Sequence, residues 1–310
     1  MRAETKSFEE TKESKTRSGF VAIVGFPNVG KSTLLNHIIG TKVSIVSPKP
    51  QTTRFNIRGV LTQDNYQIVF IDTPGIHDAK SLFNKMMVEE ALEALEEVDI
   101  ILWVVDVTHR LPEEERLLDI IKKANKPTIL VLNKIDLIKK SELLPMIDYF
   151  SKLHDFKAII PVSALKNDGI ERIIDELVKL LPEGPFYYEP ERVTDLPLSL
   201  LVAEIIREKI FQLTYQEIPY STAVKVEQIK KDEEKNLLYI QATIFIERDS
   251  QKGIIIGKQG QMLKKIGTLA REELEFLLGK RIYLDLWVKT LKDWREKETH
   301  IRKLAIPFRE

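Results

Sequence analysis

Cysteine is absent from this sequence. That excludes disulfides, cysteine-ligated zinc, iron–sulfur clusters and thiol nucleophiles together. Missing too is any apolar run near the ~18 residues that a membrane span requires. The N-terminus lacks the apolar core of a signal peptide. A soluble cytoplasmic protein is therefore expected. Net charge is also lacking, because 47 basic side chains balance 47 acidic ones. A uniformly basic nucleic-acid coat protein is excluded, yet the sum says nothing of how charge is distributed. What is present suffices for a core: 43% of the 310 residues are hydrophobic. A domain usually takes about 100–200 residues, so two domains are expected.

Residues 1–18 are rich in Lys, Arg, Glu, Ser and Thr. Such a segment buries too little surface to offset its ordering entropy and reads as a mobile tail. From Phe20 the pattern changes. Short apolar runs at Phe20–Val24, Gln67–Ile71, Ile100–Val105, Thr128–Leu132 and Ala158–Val162 read as buried strands. Helical patterns alternate with them at Ser32–Ile39, Asn84–Glu97, Pro112–Lys123, Leu143–Lys152 and Ile170–Leu181. That alternation predicts a mostly parallel sheet with helices on both faces, an α/β domain over residues 19–181. Four prolines then fall within Pro182–Pro197, which predicts an ordered linker. Residues 198–310 read as helix, hairpin, helix, glycine turn, helix and strand, with a last polar helix at Leu291–His300.

Gly25-Phe-Pro-Asn-Val-Gly-Lys-Ser32 has the spacing of a P-loop and lies between a predicted strand and a predicted helix. Its glycines let backbone amides curl around phosphates, and the helix start adds free N–H groups. Asn28, Val29, Gly30, Lys31, Ser32 and Thr33 are the expected cradle. Lys31 would reach the β- and γ-phosphates, and Ser32 would bind Mg²⁺. Asp72-Thr-Pro-Gly75 follows a predicted strand. Asp72 there would anchor Mg²⁺ through water, and Gly75 would bring its amide to the γ-phosphate. Asn133-Lys-Ile-Asp136 ends another strand. A fixed carboxylate at Asp136 accepts from guanine N1–H and the exocyclic amine, a pair that adenine does not present. Asn133 would brace neighbouring loops and Lys134 would cover the ring. In Ser163-Ala-Leu165 the Ala164 amide would donate to guanine O6.

Residues 20–181 thus resemble a translation-factor-type GTPase domain. The resemblance implies GTP and GDP as ligands and Mg²⁺ as cofactor. It also implies a first switch at Gln51-Thr-Thr-Arg54, with a threonine closing on Mg²⁺; Thr53 is favoured over Thr52, with no sequence feature separating them. Lys31, Thr53 and Gly75 are the expected catalytic contributors. Where Ras-like relatives carry a water-orienting glutamine, this chain has Ile76, so slow hydrolysis by the isolated protein is expected. Asn28 is the residue that potassium-activated relatives use near the phosphates. Among the five histidines, His77 borders the second switch and reads as a surface-loop residue.

Gly257-Lys-Gln-Gly260 is the sequence's only Gly-x-x-Gly and joins two predicted helices. Residues 250–271 hold five basic side chains and no acid. Basic groups beside a glycine turn suit a phosphodiester backbone. The arrangement resembles a bacterial-type (type II) KH domain, an α+β module whose glycine loop clamps four backbone nucleotides. Lys252, Gly253, Ile256, Gly257, Lys258, Gln259, Gly260, Lys264 and Lys265 are the expected RNA contacts. Most of Ile254, Ile255 and Ile256 are expected in the core.

A P-loop GTPase domain joined by a short linker to one such KH domain resembles the Era family. The resemblance implies a monomeric, cytoplasmic GTPase that binds the 3′ end of 16S ribosomal RNA. It implies assistance to small-subunit assembly and peripheral membrane association; no sequence feature speaks for the last. The competing reading is a nucleotide-stabilised RNA scaffold in which hydrolysis is incidental. A transfer-RNA-modification GTPase shares the first-domain motifs, but its relatives end in a cysteine-bearing segment that this sequence lacks.

Overall fold

The computed structural model describes residues 16–108 and 114–306. The expected tail lies mostly outside these residues, as does the expected helix start at Pro112. Arg17 and Ser18, given to the tail from composition, instead begin β1 (Arg17–Val24). The linker recruits them. The Ser18 amide donates to the Pro182 carbonyl, and its hydroxyl donates to the Pro185 carbonyl at 2.7 Å.

Six strands form the first sheet: β1, β2 (Ile57–Gln63), β3 (Tyr66–Asp72), β4 (Ile100–Asp106), β5 (Thr128–Asn133) and β6 (Ala158–Val162). Their order is β2-β3-β1-β4-β5-β6. All pairs are parallel except β2 with β3. Strand β2 was not expected, because Arg58, Gly59 and Thr62 interrupt its apolar run; a tight turn at Asp64-Asn65 folds it against β3 instead. Every residue of β4 and β5 is buried, which is why these strands read as unbroken apolar runs. Helices α1 (Lys31–Ile39) and α5 (Ile170–Leu180) cover one face through Leu34, Leu35, Ile173 and Leu177. Helices α2 (Leu82–Glu97), α3 (Glu114–Ala124) and α4 (Lys140–Ser151) lie toward the other face, where Leu95, Leu117 and Phe150 join the second core layer. Burying one such leucine stabilises by about 2 kcal/mol. The parallel strands all point their carboxyl ends to one edge, so the segments after Val24, Asp72, Asn133 and Val162 emerge together.

Residues 182–197 run along that sheet rather than hanging free. The buried Gln67 side chain accepts from the Tyr187 and Tyr188 amides and donates to the Tyr188 carbonyl. The Val60 amide donates to Val193, and Arg58 pairs with Asp195 at 3.0 Å.

The second domain contains α6 (Leu198–Leu213), α7 (Ile218–Ser221), β7 (Ala223–Asp232), β8 (Leu237–Ile246), α8 (Asp249–Ile256), α9 (Gln261–Leu278), β9 (Arg281–Thr290) and α10 (Glu298–Leu304). Its sheet order is β7-β8-β9, antiparallel then parallel. Apolar side chains of α6, α8 and α9 meet those of the sheet in one core. The expected final helix at Leu291–His300 is corrected: a 3₁₀ turn at Trp294–Glu296 precedes α10. Asp293 adopts φ 53°, which no helix interior allows. Trp294 is fully buried against Phe83 of α2, ring centroids 5.4 Å apart, which joins the domains. No helix among the described residues is long and apolar enough to cross a membrane.

Candidate functional site

The loop after β1 wraps closely because only glycine fits at its ends. Gly25 has φ 153°, and a Cβ there would lie 2.3 Å from the Val104 carbonyl oxygen. Gly30 has φ 101°, and its Cβ would lie 2.3 Å from Asn133 Nδ2. Val29 is buried in the first core and turns its carbonyl to Asn133 Nδ2 at 2.7 Å. Lys31 is buried and folds back onto the loop, donating to the Gly25 and Phe26 carbonyls at 3.0 and 2.9 Å.

Beside the loop, three oxygen-bearing side chains converge. Ser32 Oγ donates to Asp72 Oδ2 at 2.6 Å and lies 3.0 Å from Thr53 Oγ1. Thr53 Oγ1 is 3.5 Å from the same carboxylate oxygen. The neighbouring Thr52 points elsewhere, its hydroxyl donating to the Lys49 carbonyl at 2.8 Å. Ser44 Oγ also donates to Asp72, at 2.8 Å, and was missed by sequence reasoning; a lone serine in a loop carries no motif. Asp72 is fully buried, and burial pushes its carboxyl above the ordinary range against the pull of Lys31 and the hydroxyls. Its second oxygen, Oδ1, is buried without a partner. An orphaned carboxylate oxygen beside two hydroxyls suits a hard cation such as Mg²⁺. Gly75 packs so tightly on the loop that a Cβ would meet Pro27 backbone at 2.7 Å. Ile76 is buried in the core and donates its amide to the Gly25 carbonyl. His77 is half-buried, Nδ1 lying 2.7 Å from the Gly75 carbonyl oxygen and Nε2 3.1 Å from Gln51 Nε2.

The third and fourth motifs close on the same loop. Asn133 Oδ1 accepts from the Ala164 amide at 2.9 Å, so one asparagine joins three segments. Ser163 Oγ donates to Asp136 Oδ1 at 2.6 Å, leaving the exposed carboxylate fixed. Lys134 donates to the Asn28 carbonyl and to Asp106 Oδ2 at 2.5 Å. Asp106 was also missed, since it only terminates an apolar strand. Burial would raise its carboxyl, but hydrogen bonds from Lys134 and Thr108 hold it below the ordinary range. A cavity of about 580 Å³ is lined by Asn28, Gly30, Lys31, Ser32, Thr33, Thr53, Gly75, Asn133, Lys134, Asp136, Ala164 and Leu165. Gly25, Val29, Asp72 and Ser163 stand behind this wall as supports.

A second candidate site lies in the other domain. Gly257, Gln259 and Gly260 have φ of 73°, 51° and 77°, so the turn between α8 and α9 exposes its backbone tightly folded. A Cβ on Gly257 would meet Met262 Cβ at 2.7 Å. The adjoining groove of about 380 Å³ runs between α9 and β9. Gly260 and Lys264 line it with Arg271, another of the five basic residues of 250–271, and with the unanticipated Leu263, Gly267, Thr268, Leu284 and Leu286. The other expected RNA contacts, Lys252, Gly253, Ile256, Gly257, Lys258, Gln259 and Lys265, lie outside its lining. The strand after α9 was expected, but alternating leucines carry no nucleic-acid signature, so its place in the groove wall was not. Ile255 is buried, Ile256 is half-buried against the core, and Ile254 is half-exposed.

The two candidate sites are joined by the segment expected to form the first switch and the residues just before it. Arg54 is buried in the second domain, donating to the carbonyls of Thr222, Pro219 and Tyr220. Arg207 of α6 donates to the Thr52 carbonyl. Lys49 donates to the Phe211 and Thr214 carbonyls at the end of α6, and Glu208 accepts from the Val46 amide.

A family model described as 50S ribosome-binding GTPase matches residues 20–134, and a KH domain model matches residues 217–295. GTPase Era of Geobacter metallireducens is 50% identical over 290 residues, 93% of this chain and 97% of that protein. GTPase Era of Thermoanaerobacter sp. is 48% identical over 93% of this chain and 96% of that protein. Among solved structures, a variant of Aquifex aeolicus Era bound to GDP and AlF₄⁻ is 47% identical with a TM-score of 0.91. It covers 94% of this chain and 99% of that one. Era in complex with MgGDPNP and nucleotides 1506–1542 of 16S ribosomal RNA is 47% identical, with a TM-score of 0.90 and the same coverage.

Proposed function

The chain belongs to the Era family of GTPases, and from that premise we propose that it binds the 3′ region of 16S ribosomal RNA and assists small-subunit assembly under control of its nucleotide. The observation that carries this reading is the adjacency of Thr53 and Arg54. One residue stands at the magnesium cluster, and the next is buried in the KH domain. A change in the switch therefore pulls directly on the RNA-binding module. Similarity to the complex with 16S nucleotides supports the choice of RNA.

In the nucleotide site, Asp136 and the Ala164 amide select guanine, and Lys134 covers its ring. Lys31 exchanges its loop carbonyls for the β- and γ-phosphates. Ser32, Thr53 and Asp72 would hold Mg²⁺, which would supply neutralisation of the phosphate charge. The Gly75 amide orients the γ-phosphate. Ile76 faces the core and contributes no proton acceptor, so hydrolysis by the isolated protein is slow. Asn28, at φ 64° with Nδ2 donating to the Pro48 carbonyl, ties the loop to the first switch. A potassium ion held there would add positive charge near the phosphates; equal GTPase rates in potassium and sodium would reject it.

The decisive measurement is RNA affinity with GDP and with a non-hydrolysable GTP analogue, using an oligonucleotide of the 16S 3′ end. A difference between the states is expected. Equal affinities would reject coupling while leaving both activities in place. The burial of Ile76 also favours a second reading, an RNA scaffold whose hydrolysis is incidental. Lys31→Ala discriminates: under that reading assembly proceeds as long as RNA binding persists.

A further inference from the structure

The outer face of the second sheet, turned away from the core that α6, α8 and α9 share, carries three exposed aromatic side chains. Tyr239, Tyr283 and Trp287 are 39%, 59% and 54% exposed. Such a cluster on a polar face marks an interaction site. Resting on the RNA reading above, we propose that this face stacks bases of the single strand that runs on from the glycine turn and its groove.

Strand pleating sets the array. Residues of β8 and β9 alternate between the core and this face, with Leu238, Ile240, Ile282 and Val288 inside. Tyr239 and Tyr283 are direct neighbours in the parallel register, their ring centroids 5.7 Å apart. Trp287 lies four residues further along β9, about 13 Å away. Its indole N–H donates to Asp285 at 2.9 Å, which holds the ring. Base–aromatic stacking is tolerant of sequence, so such a row suits a single strand. Charge favours nucleic acid over protein. Exposed Lys230 sits beside Tyr239 on β7, and exposed Arg281 and Lys289 lie at either end of the row on β9. The acids nearby are engaged: Asp285 by the indole, Glu227 by Lys225 at 2.7 Å, and Asp232 by Lys235 at 3.5 Å. Three cations thus flank the rings where a phosphodiester backbone would run. Continuity comes from β9, the edge strand of its sheet. Leu284 and Leu286 line the groove, while Tyr283, Asp285 and Trp287 alternate with them on the outer face. A chain leaving the groove over that edge meets the aromatic row. The glycine turn clamps four nucleotides, so a longer strand has bases to place there.

Trp287 supplies the probe, because the other tryptophans, Trp103 and Trp294, are fully buried. The full chain, saturated with Mg²⁺ and GDP, is titrated with an oligonucleotide of the 16S 3′ end while acrylamide quenching of its fluorescence is followed. The RNA is expected to shield the indole from acrylamide. A Tyr283→Ala, Trp287→Ala double variant, changed only at exposed positions, is expected to bind the RNA at least about tenfold more weakly with GTPase activity kept. Trp287→Phe should hold affinity within about threefold and Trp287→Leu should not, since only a ring stacks. If the double variant binds as tightly as the parent chain, or bound RNA leaves the indole open to acrylamide, the stacking face is overturned and the row belongs to a protein partner. Failure of the parent chain to bind the oligonucleotide at all would instead reject the RNA reading, and the stacking face with it.

Discussion

Asp72 shows at a single residue how a candidate metal site stores instability. Its carboxyl is raised by burial, so between the ordinary carboxyl range and the raised value the metal-free folded chain binds more protons than the unfolded chain. Stability in EDTA is therefore expected to fall as pH rises from the ordinary carboxyl range through the raised value. Urea denaturation across that window checks the slope. Asp72→Asn should flatten it and raise metal-free stability at neutral pH, while abolishing Mg²⁺-dependent hydrolysis. Asp136 allows a second test. An asparagine there loses the acceptor for guanine and presents donors that match xanthine. Asp136→Asn should lower GTP affinity on the order of 10³-fold and gain binding of xanthosine triphosphate in a competition assay. Both carboxylates were legible because fixed spacings mark them. Ser44 and Asp106, which steady Asp72 and Lys134, were not. Each depends on a contact made across the fold, and neither neighbour in sequence announces it.

Elements were most legible where burial is one-sided or total. Runs such as Ile100–Val105 announce buried strands, and the amphipathic α9 follows the glycine turn as expected. Reading failed where a partner decides. Strand β2 exists through its hairpin with β3, and the last helix is displaced because Trp294 is drawn into the seam between domains. The α8–α9 turn combines both situations, since its glycines are visible in sequence but the groove beside it is not. Gly257 tolerates no side chain, for φ is positive and Met262 occupies the space. Gly257→Ala should strain the turn by about 1–3 kcal/mol. A filter-binding assay should then show RNA affinity reduced at least tenfold, with GTPase activity kept, because the turn lies in the other domain.

For the whole molecule, zero net charge is a cancellation. Residues 191–310 carry three more basic than acidic side chains, and residues 1–190 carry the opposite excess. Opposite charges also meet at the seam, where Lys42 and Lys209 share Glu208 and Glu273. Arg302 pairs with Glu90 across the same seam at 3.2 Å. Under the proposed coupling, the contact expected to make the domains act together is Arg54. Its guanidinium lies 5.1 Å from the Phe83 ring, 5.8 Å from Trp294 and 6.0 Å from Phe211, so it is held by aromatic residues of both domains. Hydrogen bonds to a charged group contribute about 1.5–3 kcal/mol each, and removal leaves the Thr222 carbonyl without its donor. Arg54→Ala is expected to cost about 2–4 kcal/mol of interdomain stability. Calorimetry should resolve one unfolding transition in the parent chain and two in the variant. Guanine nucleotide should still bind, since Thr53 and the P-loop keep their own contacts. RNA should bind too, since the glycine turn is remote. What should vanish is the difference in RNA affinity between the GDP and GTP states. A variant that keeps that difference would show that the domains communicate by a route other than the switch arginine.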